Sequence, residues 1–254
     1  MANYHHRHRN QHDTLPGRRL PDRWNLYDNV GRDIEGTRFV PFKTPLDPSF
    51  FAGKNMPNEL QFDVRSLINM AKGAQKEIGL VIDLTNTDKY YRKREWDDYG
   101  VRFIKLNCPG HEINEREDLV EKFLNIVKEY VEDEANDGKL IGVHCTHGVN
   151  RTGYLICRYM IDIDNYSAAD AISMFEYYRG HVMERPKYKE SLYEAELRRK
   201  EAEKLGEPNE PTPENESLSK NEPTPENESS PKIQSPKKDE EDVEESKASG
   251  DSSI

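Results

Sequence analysis

Residues 139–163, KLIGVHCTHGVNRTGYLICRYMIDI, decide the fold of this chain. The stretch begins with a short apolar run, residues 139–145, of the kind that forms a buried strand in a parallel sheet. A loop of five residues follows, in which Gly148 allows the backbone to turn tightly. Residues 151–163 then predict a helix. A buried strand that enters a helix through a tight loop is typical of an α/β fold.

The chain on either side of this stretch continues the same alternation of strands and helices. Short apolar runs predict three further strands, at residues 36–42, 78–85 and 101–107. Further helices are predicted at residues 59–77, after Asn114, at 167–179 behind a Ser167–Asp170 capping box, and at 187–203. We therefore predict a central, mostly parallel sheet that helices flank on both faces.

Both ends of the chain differ in composition from residues 21–203, which we take as the folded domain. Residues 1–20 are basic and rich in His and predict a disordered arm. Residues 205–254 hold 14 acidic side chains, five Lys, seven of the fifteen Pro and six apolar side chains. Such a segment buries too little apolar surface to offset its chain entropy. Residues 204–254 therefore predict a disordered acidic tail, rich in Pro, Ser and Glu.

Composition also excludes several classes of protein. The chain has no run of 18 apolar residues, so we expect no membrane span. Its first ten residues, MANYHHRHRN, lack the apolar core of a secretory signal. Three cysteines are too few, and odd in number, for a disulfide framework. We expect an intracellular protein.

The loop between the strand and the helix brings a cysteine and an arginine together. Cys145 ends the predicted strand, and Arg151 opens the helix after five intervening residues. Loop amides and a helix amino terminus that point inward together form an anion cradle. The same positive field lowers the pKa of a thiol from ~8.5 toward the ~3.5–7.5 range of reactive cysteines. Arg151 offers a planar fork to a phosphoryl group. In the alternative interpretation, Cys145 is a buried structural cysteine and Arg151 a solvated side chain.

The string HCTHGVNRTGYLIC, residues 144–157, resembles the signature of cysteine-dependent phosphatases. It is most similar to the branch that holds the RNA 5′-triphosphatases of metazoan mRNA-capping enzymes and the related atypical dual-specificity phosphatases. The resemblance covers about residues 20–200 and includes PDRW (21–24), GTRFVPFK (36–43), VIDLTNTDKYY (81–91), IKLNCPGH (104–111) and RGHVMERPKY (179–188). It implies the cysteine-phosphatase fold.

The resemblance also implies roles for individual residues. Cys145 would be the nucleophile, Arg151 would clamp the phosphoryl group, and Thr152 would hydrogen-bond the thiolate or assist hydrolysis of the phospho-enzyme. His144 would tune the thiolate through a backbone hydrogen bond. The phosphate-binding loop would consist of Thr146, His147, Gly148, Val149 and Asn150. The resemblance implies neither a metal ion nor another cofactor.

Basic side chains in the matching segments are candidates for binding the rest of the substrate. Arg185 is the first choice, followed by Lys89, Arg92 and Arg179, although each of them taken singly is also explained as a solvated charge. Asp83 ends a predicted strand. It either orients Arg151 or the loop, or caps the turn at the strand end, and the sequence favours neither interpretation.

The segment NCPGHEINERED, residues 107–118, lacks an Asp at the early position where tyrosine phosphatases carry their general acid. Diphosphate leaves without that help, which is typically worth ~10²–10⁴-fold. We therefore predict an RNA 5′-polyphosphatase that removes the γ- and then the β-phosphate through a cysteinyl-phosphate. The alternatives are a dual-specificity protein phosphatase and a catalytically idle phosphate-binding module.

The predicted partners follow from that function. They are 5′-triphosphate or 5′-diphosphate RNA and complexes that process RNA or contain small ribonucleoproteins. We expect a monomer that does not bind membranes and that resides in the nucleus and also in the cytoplasm. The nuclear location is an expectation from the resemblance, with only a weak basic patch at residues 235–238 behind it.

Overall fold

A computed structural model describes residues 18–110 and 112–206 of the chain. Its centre is a four-stranded sheet in which neighbouring strands are all parallel, in the order β1-β4-β2-β3. The strands are β1 (Phe39–Lys43), β2 (Ile78–Asp83), β3 (Arg102–Lys105) and β4 (Leu140–Cys145). An isolated antiparallel bridge joins Val30 to Phe42. All four predicted strands are present, each within a few residues of its predicted bounds.

Five α-helices surround the sheet. They are α1 (Val64–Gly73), α2 (Glu117–Glu132), α3 (Asn150–Asp162), α4 (Ala168–Arg179) and α5 (Pro186–Gly206). Short 3-10 helices are described at Trp24–Leu26, Pro48–Phe50, Asn58–Leu60, Lys93–Tyr99, Ile113–Glu115 and Glu134–Asn136. One of the two bonds of the predicted capping box of α4 is present, because the Ser167 hydroxyl accepts a hydrogen bond from the Asp170 amide at 3.1 Å; the Asp170 carboxylate accepts from the Ser167 hydroxyl at 2.6 Å and not from its amide.

Helix α1 is shorter than the predicted span of residues 59–77. The carboxylate of Asp63 accepts a hydrogen bond from the Ser66 amide at 2.7 Å, which makes Asp63 the cap at which the helix begins. At the other end Gln75 has a φ of 57°, a left-handed conformation that stops the helix. The apolar periodicity was therefore correct for the middle of the segment but did not show its two ends.

Each face of the sheet has its own core. On one face, α1 packs with a cluster that includes Trp24, Phe62 and Trp96. On the other face, α2 to α5 pack with a cluster that includes Phe123 and Phe175. This arrangement confirms the prediction of helices on both faces. Helix α3 is the most enclosed, since every residue from Thr152 to Ile161 is buried, and it therefore holds the loop in front of it rigidly.

The predicted disordered arm and tail fall largely outside the described residues, which exclude 1–17 and 207–254. Where the predicted boundaries can be compared, the folded part is longer than expected. Helix α5 continues to Gly206, and the Arg18 guanidinium lies 4.2 Å from the centre of the Phe50 ring. Within the described part of the chain, no helix is long and apolar enough to cross a membrane.

Candidate active site

The loop between β4 and α3 lies at the carboxyl edge of the sheet, as predicted for an anion cradle. Cys145 is the last residue of β4, and Arg151 is the second residue of α3. The Thr44 amide donates a hydrogen bond to the carbonyl of Thr146 at 3.2 Å, which ties the loop to the end of β1. The loop is thus held by its own strand, by the following helix and by the neighbouring strand.

Gly148 is the residue that allows the loop to turn. Its φ of +67° lies in the left-handed region, and a Cβ there would lie 2.1 Å from the carbonyl oxygen of Phe42. Both the backbone conformation and the contact with β1 exclude a side chain at this position.

The Cys145 thiol is poised for ionisation at neutral pH. Burial alone would raise its pKa, since it disfavours the charged form, but the Arg151 guanidinium, Thr152 and the backbone amides of Thr152 and His147 lower it. The net result is a pKa of about 7. The Thr152 hydroxyl is itself buried and has no hydrogen-bond partner among the described residues. This position agrees with its predicted role beside the thiolate.

We expect alkylation of Cys145 by iodoacetamide to follow a titration with a midpoint near pH 7. The thiolate is the reacting species, so the rate should fall tenfold for each pH unit below the midpoint and level off above it. Mass spectrometry of the labelled peptide measures this rate. Burial raises the pKa of Cys108 to about 12 and also raises that of Cys157, so both should stay unlabelled. A midpoint near 9, the ordinary value for a thiol, would contradict the expectation.

Backbone carbonyls hold Arg151 in place. Its Nη1 donates to the carbonyl oxygens of Leu84 and Cys108, both at 3.0 Å, and its Nη2 donates to Oγ1 of Thr146 at 3.2 Å. The guanidinium therefore lies across the loop in a fixed orientation. Its remaining N–H groups are left for a phosphoryl group, which is the planar clamp that the sequence predicted.

His144 is fully buried behind the loop. Its Nδ1 lies 3.2 Å from the carbonyl oxygen of Cys145, and its Nε2 lies 2.8 Å from the hydroxyl of Tyr91. Burial lowers the pKa of the imidazole. The ring thus contacts the backbone of the nucleophile as the sequence predicted, and its effect on the thiolate stays a prediction.

Asp83 does not contact Arg151, so the interpretation that it orients this side chain directly is wrong. Its carboxylate accepts hydrogen bonds from the Thr85 amide at 2.7 Å, and from the Tyr91 hydroxyl and the Lys105 ammonium at 2.9 Å each. The first bond caps the turn at the end of β2, which was the alternative interpretation. Asp83 reaches the loop through His144, whose Nε2 lies 3.8 Å from Oδ1 of Asp83, and through Tyr91, whose hydroxyl also contacts His144.

Arg179 was predicted to bind substrate, and the structure contradicts this. The side chain is 1% exposed. It donates hydrogen bonds of 2.9 Å each to the carbonyl oxygens of Gly148, His147 and Asp28. By holding two loop carbonyls outward, Arg179 leaves the loop amides free to point inward. It is a positioning residue, and its burial depends on contacts that a single helical segment does not reveal.

Lys43 is a second buried cation that the sequence reasoning missed. It ends β1, is 3% exposed, and donates to the carbonyl oxygens of Trp24 and Tyr27. Its Nζ also lies 3.6 Å from the centre of the Trp24 ring. Burial, together with the charge of Arg179, lowers its pKa to about 8. In the sequence, the signal for this burial was a lysine at the end of a strongly apolar strand.

Glu184 is a further residue that the sequence reasoning missed. Its carboxylate accepts hydrogen bonds from Arg23 at 2.7 Å, Tyr27 at 2.8 Å and Asn150 at 3.3 Å. Its backbone amide donates to Oδ1 of Asn150 at 2.8 Å. Glu184 therefore fastens both the segment before β1 and the connection between α4 and α5 to the catalytic loop.

The ring of His147 closes the same side of the loop. Its Nε2 lies 2.7 Å from the carbonyl oxygen of Asp22, and the ring stacks on Tyr27 with centroids 4.7 Å apart. His147, one of the predicted loop residues, therefore contacts the PDRW segment, which forms part of the wall of the site.

Three other candidate substrate-binding residues remain. The Arg185 guanidinium is 5.6 Å from the centre of the Tyr188 ring, and the charges of Arg185, Arg151 and Cys145 all act on the Tyr188 phenol. Lys89 is exposed with its Nζ 5.4 Å from the centre of the Tyr90 ring, and Arg92 is exposed at the amino end of the Lys93–Tyr99 helix. Their contact with substrate stays a prediction.

Comparison with known proteins identifies the family. Residues 60–198 match the family model described as dual specificity phosphatase, catalytic domain. An RNA/RNP complex-1-interacting phosphatase homolog of Caenorhabditis elegans is 74% identical over 205 residues, which cover 79% of this chain and 88% of the relative. The RNA/RNP complex-1-interacting phosphatase of Mus musculus is 44% identical over 180 residues, which cover 71% of this chain and 55% of the relative.

A viral protein is similar over nearly its whole length. The tyrosine-protein phosphatase of Autographa californica nuclear polyhedrosis virus is 39% identical over 173 residues, which cover 68% of this chain and 98% of the relative. The chain spans about half the length of the mouse relative. The resemblance to atypical dual-specificity phosphatases and the fold that it implies are confirmed. The chain belongs to the dual-specificity phosphatase family.

Proposed function

We propose that this phosphatase is an RNA 5′-polyphosphatase, which removes the γ-phosphate and then the β-phosphate from 5′-triphosphate RNA to leave 5′-monophosphate RNA. The observation that carries the proposal is that no carboxyl group of residues 18–110 or 112–206 hydrogen-bonds to the Cys145 thiol or to the Arg151 guanidinium, where a general acid would lie. A phosphoester substrate needs such a group, because an alkoxide or phenoxide is a poor leaving group. The diphosphate end of RNA leaves without protonation.

Three carboxylates, two beside the loop and one in the segment after β3, are already engaged. Asp83 accepts three hydrogen bonds, one of them from the Lys105 ammonium. Glu184 accepts hydrogen bonds from a guanidinium, a phenol and an amide, and these bonds hold its pKa below its ordinary value against the effect of burial. Asp118, in the segment after β3, pairs with Arg116, and this hydrogen bond likewise lowers its pKa. A carboxyl group that stays ionised has no proton to give.

The reaction would proceed in two displacements. The Cys145 thiolate attacks the γ-phosphorus in line, the S–P bond forms, and the anhydride P–O bond breaks with its electron pair leaving on the diphosphate RNA. Water then attacks the cysteinyl-phosphate, which releases inorganic phosphate and restores the thiolate. The loop amides and Arg151 stabilise the charge on the transferring phosphoryl group in both steps. A second cycle acts on the β-phosphate.

The names of the worm and mouse relatives, which refer to interaction with an RNA/RNP complex, support an RNA substrate. On the same basis we propose that the partners are 5′-triphosphate or 5′-diphosphate RNA and complexes that process RNA or contain small ribonucleoproteins. We also propose that the protein acts as a monomer in the nucleus and the cytoplasm.

Phosphate release from a ten-nucleotide 5′-triphosphate RNA, with EDTA present, tests the proposal. We expect kcat/KM to exceed that for a phosphotyrosine peptide by at least a factor of about 100, as the missing general acid would slow the ester reaction by ~10²–10⁴-fold. Release must be absent in the Cys145→Ser variant. Product analysis by gel should show diphosphate RNA first and monophosphate RNA later.

The second candidate function is that of a dual-specificity protein phosphatase, which the name of the viral relative favours. It predicts the opposite preference. A larger kcat/KM for the phosphopeptide than for the RNA would overturn the polyphosphatase and establish this alternative.

A further inference from the structure

We propose that a basic groove beside the catalytic loop binds the RNA chain that follows the 5′-phosphates; this inference rests on the proposed function and extends it. The groove lies between strand β3 and the Lys93–Tyr99 helix and encloses about 1030 Å³. Arg92, Lys93 and Arg94 contribute basic side chains to it, Lys105 lies at its inner end, and Asp88 and Asp97 also line it; we call it the β3 groove.

The cations of the β3 groove are available to a ligand. Lys93 and Arg94 are exposed, and their side chains make no hydrogen bond or ion pair with residues 18–110 or 112–206. Lys105, at the inner end, is already paired with Asp83 and Asp88. Exposed Lys and Arg side chains that are not internally paired bind nucleic-acid phosphates, and each contact releases a condensed counterion.

Aromatic rings lie between these charges. Tyr90 and Tyr91 are buried in the wall of the groove, and Phe103 is half-buried with its ring 6.3 Å from that of Tyr91. At the far end Val101 connects the groove to a second cavity of about 430 Å³, where Tyr99 is 38% exposed. Proteins that hold single-stranded RNA combine a positive track with rings on which bases stack. This combination favours RNA over an acidic polypeptide.

The groove starts at the catalytic edge of the sheet. Asp83 pairs in register with His144 on one side and with Lys105 on the other, so the carboxyl ends of β4, β2 and β3 lie side by side. Two strand spacings of ~4.8 Å place the inner end of the groove about 10 Å from the strand that carries Cys145. Tyr91 spans part of this distance, because it lines the groove and its hydroxyl contacts His144.

From this inner end the groove runs along β3 toward its first residue, Arg102, and therefore away from the loop. A chain whose terminal phosphate occupies the loop could thus continue into the groove with its 5′ end innermost.

The test measures binding and turnover separately. We compare Lys93→Glu/Arg94→Glu with Lys122→Glu/Lys128→Glu, a pair on exposed positions of α2 that changes net charge equally on the opposite face of the sheet. Each is made in the full chain, with and without Cys145→Ser. Fluorescence anisotropy of a ten-nucleotide 5′-hydroxyl RNA gives affinity without hydrolysis. We expect the groove pair to raise Kd at least about tenfold and to reduce the slope of log Kd against log salt by about 1.4, or ~0.7 per lost phosphate contact.

Turnover provides the second readout. For the groove pair, the ratio of kcat/KM on ten-nucleotide 5′-triphosphate RNA to that on a nucleoside triphosphate should fall at least about tenfold, with the control pair close to the wild-type ratio. Equal losses in the two pairs would overturn the proposal, because the effect would then come from net charge. Tighter binding of a Glu-rich peptide than of RNA, with the same dependence on Lys93 and Arg94, would also overturn it.

The two proposals fail in different ways. Groove-dependent binding of 5′-hydroxyl RNA without triphosphate hydrolysis would contradict the proposed function alone. If the groove variant and the control variant hydrolyse triphosphate RNA equally well, only the proposal about the groove is contradicted. If the double glutamate variant does not fold, as judged by thermal unfolding, Lys93→Gln/Arg94→Gln removes the same charges without reversing them and is held to the same criteria.

Discussion

Replacement of Cys145 by serine is expected to lower turnover by about 10⁴-fold or more, with the fold and phosphate binding retained. The serine hydroxyl has the same place in the loop but stays protonated at neutral pH, whereas the thiol ionises with a pKa of about 7. A nucleophile that cannot ionise and has no adjacent base is a poor one. Steady-state phosphate release measures the loss, and a phosphate-dependent rise in Tm measures the retained binding.

Cys157→Ser is the matched control. Cys157 is also buried, but it lies on α3 with its Sγ 3.4 Å from the carbonyl oxygen of Ala171, away from the loop. A serine there donates the same hydrogen bond, so we expect activity within a few-fold of wild type at some cost in stability. Equal loss of turnover in the two variants would contradict the assignment of Cys145 as the nucleophile, since it would trace the effect to unfolding.

Replacement of Gly148 by alanine is expected to lower activity by at least about 10²-fold and to destabilise the protein. The left-handed φ of +67° costs an alanine roughly 1–2 kcal/mol. The added Cβ would also lie 2.1 Å from the Phe42 carbonyl oxygen and 2.8 Å from the Lys43 nitrogen, so either the loop or β1 must move. A shift of about 1 Å in catalytic geometry is itself worth ~10²-fold. Urea unfolding and phosphate release measure the two effects.

The Gly53→Ala variant separates the effect of backbone strain from the effect of the steric clash. Gly53 has a nearly identical φ of +70°, but a Cβ there would meet no atom within 4 Å. This variant carries the backbone strain without the steric clash, so it should lose roughly 1–2 kcal/mol of stability and keep its activity. If Gly148→Ala lost no more activity and stability than Gly53→Ala, the close packing of the loop against β1 would not be what holds the anion cradle in place.

Much of the fold could be predicted because its signals are local. The buried strands appear as short apolar runs, and the cap of α4 appears as Ser167 three residues before Asp170. The ends of helices are harder to predict from the sequence where a single hydrogen bond decides them. The side chain of Asp63 starts α1 four residues after its apolar pattern suggested, and α5 continues to Gly206.

The candidate site was predictable only in its innermost part. Cys145 and Arg151 were identified because both belong to one strand–loop–helix unit. Arg179 was interpreted as a substrate contact since it lies in a basic segment that matches the family, yet it is buried against the loop backbone. Lys43 and Glu184 were missed, because nothing in their immediate neighbours distinguishes them from ordinary charged residues.

The sequence by itself determined the order of strands and helices, the nucleophile and the arginine that accompanies it. All of these depend on residues within one or two turns of each other, so composition and spacing suffice. Only the tertiary structure decided what supports the loop and where a basic groove opens beside it. Arg179 reaches Gly148 across 31 residues of chain, and Glu184 reaches Asn150 across 34. Such contacts form only when the sheet and helices pack, because packing sets which charges lose water and which stay exposed.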